Sequence, residues 1–187
     1  RDSSIMRIDV STGETEQLPI PPSVGNTAVG MTTAYGPMSG VWFTLAGNAT
    51  GGTGTFGHIG SDGEMRFFQL RNPLGVNSAL LHLADATTED GGPALWILST
   101  SLLSNASSDA LIHVTFDAGV TSIAGEEYIS MLTQNSKVHR VVALNSTVLV
   151  SELSTFALAQ LSYSDTVAGQ WQPRESVSGS AVNAEGW

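Results

Sequence analysis

The stretch Pro37-Met38-Ser39-Gly40-Val41-Trp42-Phe43-Thr44 decides the fold, because its parts return twice further along the chain. A turn rich in Pro and Gly feeds a short apolar run centred on Trp. Asp90-Gly91-Gly92-Pro93 leads in the same way to Leu95-Trp96-Ile97-Leu98, and Leu144-Asn145-Ser146 to Val148-Leu149-Val150-Ser151. Trp96 follows Trp42 by 54 residues, and Leu149 follows Trp96 by 53. β-Branched and aromatic runs cut by Gly, Pro, Asn and Ser read as strands and turns. Helix signals are nearly absent.

Further strands recur around each of these runs. A hairpin-forming strand follows: Met6-Arg7-Ile8-Asp9 up to Gly13, His58-Ile59 up to Asp62-Gly63, Ile112-His113-Val114 up to Gly119, and Leu158-Ala159-Gln160-Leu161. The glycines are expected to supply the positive φ of a tight turn. An outer strand closes the unit, as in Glu16-Gln17-Leu18-Pro19 and Phe68-Gln69-Leu70. A further element precedes each Trp-type run: Ala28-Val29-Gly30-Met31-Thr32, Ala79-Leu80-Leu81-His82 and Val138-His139-Arg140-Val141. Four strands in about 50 residues is the scale of a propeller blade. The expected fold is therefore an all-β propeller with four-stranded blades. Residues 1–187 make about three and a half of them, about half of a six-bladed ring and part of a single propeller domain. The rival reading is a β-sandwich with coincidental spacing. The remaining blades are expected on another segment of the same precursor, since the chain opens on Arg1 just before the third strand of a blade.

Composition limits the partners. Seven Lys+Arg stand against 17 Asp+Glu, a formal charge of −10, and only 13% of residues are charged. That balance provides no basic footprint for nucleic acid and none for an anionic membrane surface. No apolar run approaches the ~18 residues a spanning helix needs. Cysteine is absent. Three sequons, at Asn48, Asn105 and Asn145, lead to the expectation of a secreted or secretory-pathway glycoprotein.

Three phrases carry a family resemblance: Gly40-Val41-Trp42-Phe43-Thr44, Gly57-His58-Ile59-Gly60-Ser61-Asp62-Gly63 and Gln17-Leu18-Pro19. They resemble the repeat of virginiamycin B lyase-like propellers, within the broader six-bladed group related to gluconolactonase and senescence marker protein. The resemblance covers the first 70 residues best. It is also similar to the fungal propellers that act as hetero-Diels–Alderases in natural product biosynthesis, and this implies cyclase or lyase chemistry. The lyases use Mg²⁺ and the gluconolactonase type uses Ca²⁺. No matching ligand set is found here, so the expected cofactor is none, with Ca²⁺ or Mg²⁺ entering only if the chemistry is lactonase- or lyase-like.

In a propeller the innermost strands line a central channel. Residues on or just before them are Met31, Thr32, Arg71, Asn72, Asn77, His82, Gln134, Asn135, Lys137, His139 and Arg140. His139, Arg140, His82 and Arg71 are the expected catalytic groups, because His exchanges protons near neutrality and Arg clamps an anionic oxygen. Neighbours on a strand face opposite ways, so at most one of His139 and Arg140 meets the channel directly. Structural roles compete with each: an inter-blade salt bridge for the Arg, a satisfied core position for the His. Met31, Thr32, Asn77 and Asn135 are the expected substrate contacts. His58 and His113 repeat two strands out and read as scaffold, and Trp42 and Trp96 as inter-blade packing. The Gly-rich loop around Gly51-Gly52 lacks the helix and Lys of a phosphate loop. The acidic stretch from Asp85 to Asp90 reads as a solvated turn.

Three functions follow. The first is a secreted enzyme that converts a small natural product in the channel, by cyclase or lyase chemistry. The second is a metal-dependent lactonase or lyase. The third is a non-catalytic carbohydrate-binding propeller, disfavoured because no Arg/Glu pair recurs with the Trp residues. Homo-oligomerisation is left open.

Overall fold

The computed structural model describes residues 3–24, 27–46, 54–71, 79–86, 92–101, 109–131, 133–144, 147–164 and 170–178, with side chains up to residue 161. Among the described residues the chain forms three four-stranded antiparallel sheets and one two-stranded sheet, and it is a partial β-propeller. The two-stranded sheet pairs β1 (Ser4–Ile8) with β2 (Thr15–Pro19). Blade 1 runs in spatial order β3 (Ala28–Ala34), β4 (Gly40–Leu45), β5 (Thr55–Ile59), β6 (Met65–Gln69). Blade 2 has β7 (Ala79–Asp85), β8 (Ala94–Thr100), β9 (Ala110–Phe116), β10 (Ile123–Ser130). Blade 3 has β11 (Val138–Leu144), β12 (Thr147–Glu152), β13 (Ala157–Ser164), β14 (Gln170–Ser178). Spatial order equals chain order in every blade.

Both faces of a middle blade must be apolar, because each packs on a neighbour. The core is accordingly three seams between sheets. Ile5 and Ile20 meet Phe43, Leu45 and Ile59 in the first. Trp42, Phe56 and Phe68 meet Leu83, Ile97 and Ile112 in the second. Trp96, Leu98 and Leu111 meet Val141, Val148 and Val150 in the third. The β8 stretch Ala94–Thr100 is buried at every residue, as expected of a strand covered on two sides.

The repeat has a physical basis in a Trp–His pair. Trp42 lies opposite His58, and Trp96 opposite His113. In both pairs the rings stack with centroids 4.4 Å apart. The His58 Nε2 sits 2.9 Å from the Ser39 carbonyl oxygen, and His113 engages the Ala86 backbone. Each His therefore ties the turn before the Trp strand to the sheet. Burial lowers the pKa of both, that of His113 to about 4. In blade 3 Leu149 and Gln160 stand opposite each other in these positions. These residues are scaffold, as expected.

One turn differs from expectation. Gly13 and Gly63 take positive φ, but in the β9–β10 hairpin the left-handed residue is Val120 (φ 53) and not Gly119. A β-branched residue is strained there. Two features hold it: the Val120 side chain is buried in the second seam, and Asp117 fixes the turn by accepting the Thr121 N–H and the Thr121 and Ser122 hydroxyls.

Candidate functional site

The innermost strands β3, β7 and β11 lie side by side, which places them where the sequence analysis put a channel. Each carries a bulge against its second strand: between Ala28 and Met31, between Leu80 and Leu83, and between Val138 and Arg140. Bulges re-aim side chains and cluster beside active sites. The approach of β3 to β7 is close. A Cβ on Gly30 would lie 2.2 Å from the Leu81 carbonyl oxygen. The Thr44 hydroxyl bridges the same gap, accepting from the Gly30 N–H at 3.0 Å and donating to the Leu81 carbonyl at 3.1 Å. In the next seam the Thr100 hydroxyl donates to the Val138 carbonyl at 2.8 Å.

Three of the four expected catalytic residues come together across the β7–β11 boundary. His82 sits in the β7 bulge, half-buried, and its Nδ1 accepts from the Val141 N–H at a long 3.4 Å. That bond assigns the neutral tautomer with its proton on Nε2. Burial lowers the His82 pKa, and its electrostatic interactions with Arg140 and His139 lower it further. At neutral pH His82 is thus a neutral hydrogen-bond donor. His139 is the unpaired residue of the β11 bulge and is half-buried. Arg140 is exposed, opposite Ser151, whose hydroxyl accepts the Arg140 N–H at 3.0 Å. A neutral imidazole, a second imidazole and a guanidinium on two neighbouring strands can polarise an oxygen, move a proton and hold negative charge.

Arg71 lies apart from this group. Its guanidinium donates to the Ile123 carbonyl and its backbone N–H to Glu126 Oε1 at 2.8 Å, both on the outermost strand of blade 2. It clips blade 1 to blade 2 at their outer edge, because the 6–7 connection leaves from an outer strand and not from the channel. Met31 is opposite Phe43 and half-exposed, so it shares the face turned to the two-stranded sheet. Thr32 is opposite Trp42 and partly buried. Asn135 is exposed in the left-handed region (φ 55), and its carbonyl accepts the Ser154 hydroxyl. Asn72, Asn77 and the sequon residues Asn48, Asn105 and Asn145 lie outside the described residues, as does the loop around Gly51-Gly52.

The segment leading into His139 is anchored by a residue that sequence reasoning passed over. Asp109 is 6% exposed. It accepts from the Ser101 N–H (2.6 Å) and hydroxyl (2.7 Å), the Ser136 hydroxyl (3.0 Å), and the Lys137 (2.5 Å) and Val138 (3.4 Å) N–H groups. These bonds hold its carboxyl below the ordinary range, against the opposing effect of burial. Lys137, itself left-handed (φ 52), returns its Nζ to the Ser101 carbonyl at 2.9 Å. An Asp before a strand in a Ser-rich chain reads as an ordinary turn, so nothing local marks it. Glu152, also buried, keeps one carboxylate oxygen unpartnered while the other accepts the Thr155 hydroxyl. Among the described residues no three His, Asp or Glu side chains gather as a metal site requires.

In the acidic stretch Asp85 accepts the Tyr35 N–H at 3.3 Å, and residues 87–90 lie outside the described residues. Two surface hollows lie away from the inner strands. One, of about 400 Å³, is lined by Arg7, Asp9, Glu14 and Glu16 on the β1–β2 hairpin, and one of about 140 Å³ by His58, Asp62, Glu64 and Arg66.

Solved structures with the same fold are propellers. A candidate 6-phosphogluconolactonase from Bacteroides uniformis superposes with a TM-score of 0.56 at 15% identity, over 97% of this chain and 51% of that one. One from Bacteroides fragilis gives 0.53 at 14% identity, with the same two shares. Virginiamycin B lyase from Staphylococcus aureus, in its catalytically inactive H270A form with quinupristin, gives 0.43 at 17% identity over 91% of this chain and 62% of that one. The chain thus spans about half the length of the two lactonase-type structures. No protein-family profile and no curated protein matches the sequence.

Proposed function

We propose that the chain belongs to a propeller enzyme that converts a small molecule at its innermost strands. The observation that carries this reading is the meeting of His82 with His139 and Arg140 across two blades. His82, neutral with its Nε2–H free to donate, polarises a substrate oxygen. Arg140 holds the negative charge that develops there, and His139 moves the proton. This combination suits cyclase or lyase chemistry on a natural product, of the hetero-Diels–Alderase kind, in which the gain comes from orientation. The sequons make it a secretory glycoprotein in this reading, and no metal takes part.

The test uses the product of the complete coding sequence, incubated with a quinone-methide precursor and a polyene. The expected result is a cyclic product whose stereochemistry differs from that of the enzyme-free reaction. Arg140→Gln is expected to lower the rate by about 10²-fold or more, the cost of losing one charge-stabilising donor. Product ratios equal to the uncatalysed ones in both proteins would sink the cyclase form. A lactone or ester carbonyl would be polarised by the same groups. Stoichiometric Ca²⁺ or Mg²⁺ in the purified protein, lost together with lactone-opening activity, moves the assignment to the metal-dependent class.

A further inference from the structure

We infer that the buried polar end of the seam between blades 2 and 3 binds a monovalent alkali cation, held by the Glu152 carboxylate. The inference stands apart from the proposed chemistry, because the ion ties two sheets together and meets no substrate. The seams are mostly apolar. One end of this one differs: Thr100, Ser101, Asp109, Ser136 and Glu152 are all buried there, at 6% exposure or less. Glu152 follows Val148 and Val150 on the buried side of β12. It lies opposite Val138 in the β11–β12 ladder, and the Val138 N–H donates to Asp109. Two carboxylates thus flank one residue, with Lys137 beside them. Counted as charges, they leave one negative charge in excess.

The protons of this pocket point away from one oxygen. The Thr100 hydroxyl donates to the Val138 carbonyl at 2.8 Å. The Ser101 and Ser136 hydroxyls donate to Asp109 at 2.7 and 3.0 Å. The Thr155 hydroxyl donates to Glu152 Oε2 at 2.9 Å. Lys137 Nζ donates to the Ser101 carbonyl and hydroxyl at 2.9 and 3.1 Å. Glu152 Oε1 is left shut off from solvent without a donor. A buried carboxylate in that position is costly unless a positive group meets it. Hydroxyls that give their protons away keep lone pairs, so the pocket offers carboxylate, hydroxyl and carbonyl oxygens. These are the hard donors that take alkali and alkaline-earth cations. Charge decides between the two. Asp109 already accepts from Ser101, Ser136, Lys137 and Val138, so Glu152 supplies the anionic ligand by itself. Ca²⁺ sites gather several carboxylates, and among the described residues no third acid joins these two. Na⁺ or K⁺ matches the single charge to be neutralised.

The test uses the product of the complete coding sequence, unfolded by urea at one ionic strength in choline chloride, NaCl or KCl. Choline is too bulky to enter the seam. Na⁺ or K⁺ is expected to raise the unfolding midpoint saturably, shifting the folding equilibrium about 100-fold when the ion stands at about 100 times its dissociation constant. Glu152→Gln keeps the side-chain shape and removes the charge, and it is expected to abolish that response. Glu14→Gln, at an exposed position, should respond as the parent does. Equal midpoints of the parent in the three salts overturn the inference and leave a proton as what neutralises the carboxyl. A response that survives in Glu152→Gln overturns it too, as does a response to Ca²⁺ with none to Na⁺ or K⁺. Crystals of the unsubstituted protein in RbCl cover the case of a variant that fails to fold. An anomalous peak beside the Glu152 carboxyl is expected, and rubidium on the surface alone, an adventitious ion only, overturns the assignment.

Discussion

At the scale of single residues, the molecule is most sensitive where two backbones touch. Gly30→Ala would place a methyl 2.2 Å from the Leu81 carbonyl oxygen, and it is expected to cost about 1–3 kcal/mol of unfolding free energy, the usual range for overpacking. Chemical denaturation measures it. The same change should disturb the β7 bulge and therefore the setting of His82. His113 makes a pH prediction. Its folded pKa is about 4 against an ordinary 6.5. Above pH 6.5 both folded and unfolded forms are neutral, and stability is flat. As pH falls from 6.5 towards 4 the unfolded chain takes up a proton that the folded one refuses, so stability is lost across that window. The loss should reach roughly 3 kcal/mol. His113→Gln should flatten that part of the profile in denaturation curves taken at successive pH values.

At the scale of elements, the Trp spacing and the strand order were legible because each strand carries its own periodicity and its own turn. The Trp–His pairs were half legible. Recurrence marked His58 and His113 as scaffold, but the stacking needed the register that sets Trp42 against His58. What lay beyond the sequence was contact between elements far apart in the chain. Asp109 collects donors from Ser101, Ser136, Lys137 and Val138, and no local pattern shows three segments meeting at one carboxylate. Arg71 was misplaced for the same reason: lying before an innermost strand in sequence did not put it at the channel. Asp109→Ala removes the acceptor and leaves buried N–H groups unpaired. The expected cost is about 3 kcal/mol, read by thermal unfolding. Tilting of the Ser136–Val138 segment should show as shifted His139 ring resonances in NMR spectra.

At the scale of the whole molecule, the low charge and the abundant Gly, Ser and Thr follow from many short strands joined by many turns, with apolar residues reserved for the seams. The site candidates sit where two blades share a boundary, so the seam that supplies stability also sets the distance between His82 and Arg140. Widening the seam should weaken both. Val141→Ala, which thins the blade 2–blade 3 seam, is expected to destabilise the fold by about 1–3 kcal/mol. It should also raise the His82 pKa towards 6.5, because burial is the leading cause of the shift. A histidine titration followed by NMR gives that value. An unchanged His82 titration in a destabilised variant would separate the site from the seam.

The replacement of the Trp–His pair by Leu149 and Gln160 in blade 3 has a consequence for how the molecule comes apart. Neighbouring sheets touch only their neighbours, so the free energy is a chain of nearest-neighbour couplings rather than one shared core. Among the described residues, blade 3 lacks the aromatic clamp, with Leu149 opposite Gln160 where the other blades pair Trp with His. Heat or denaturant should therefore fray the arc from blade 3 inwards, and the transition of the isolated chain should be broad. Its calorimetric enthalpy should exceed its van't Hoff enthalpy, the mark of sequential melting and of a stability that no single midpoint describes.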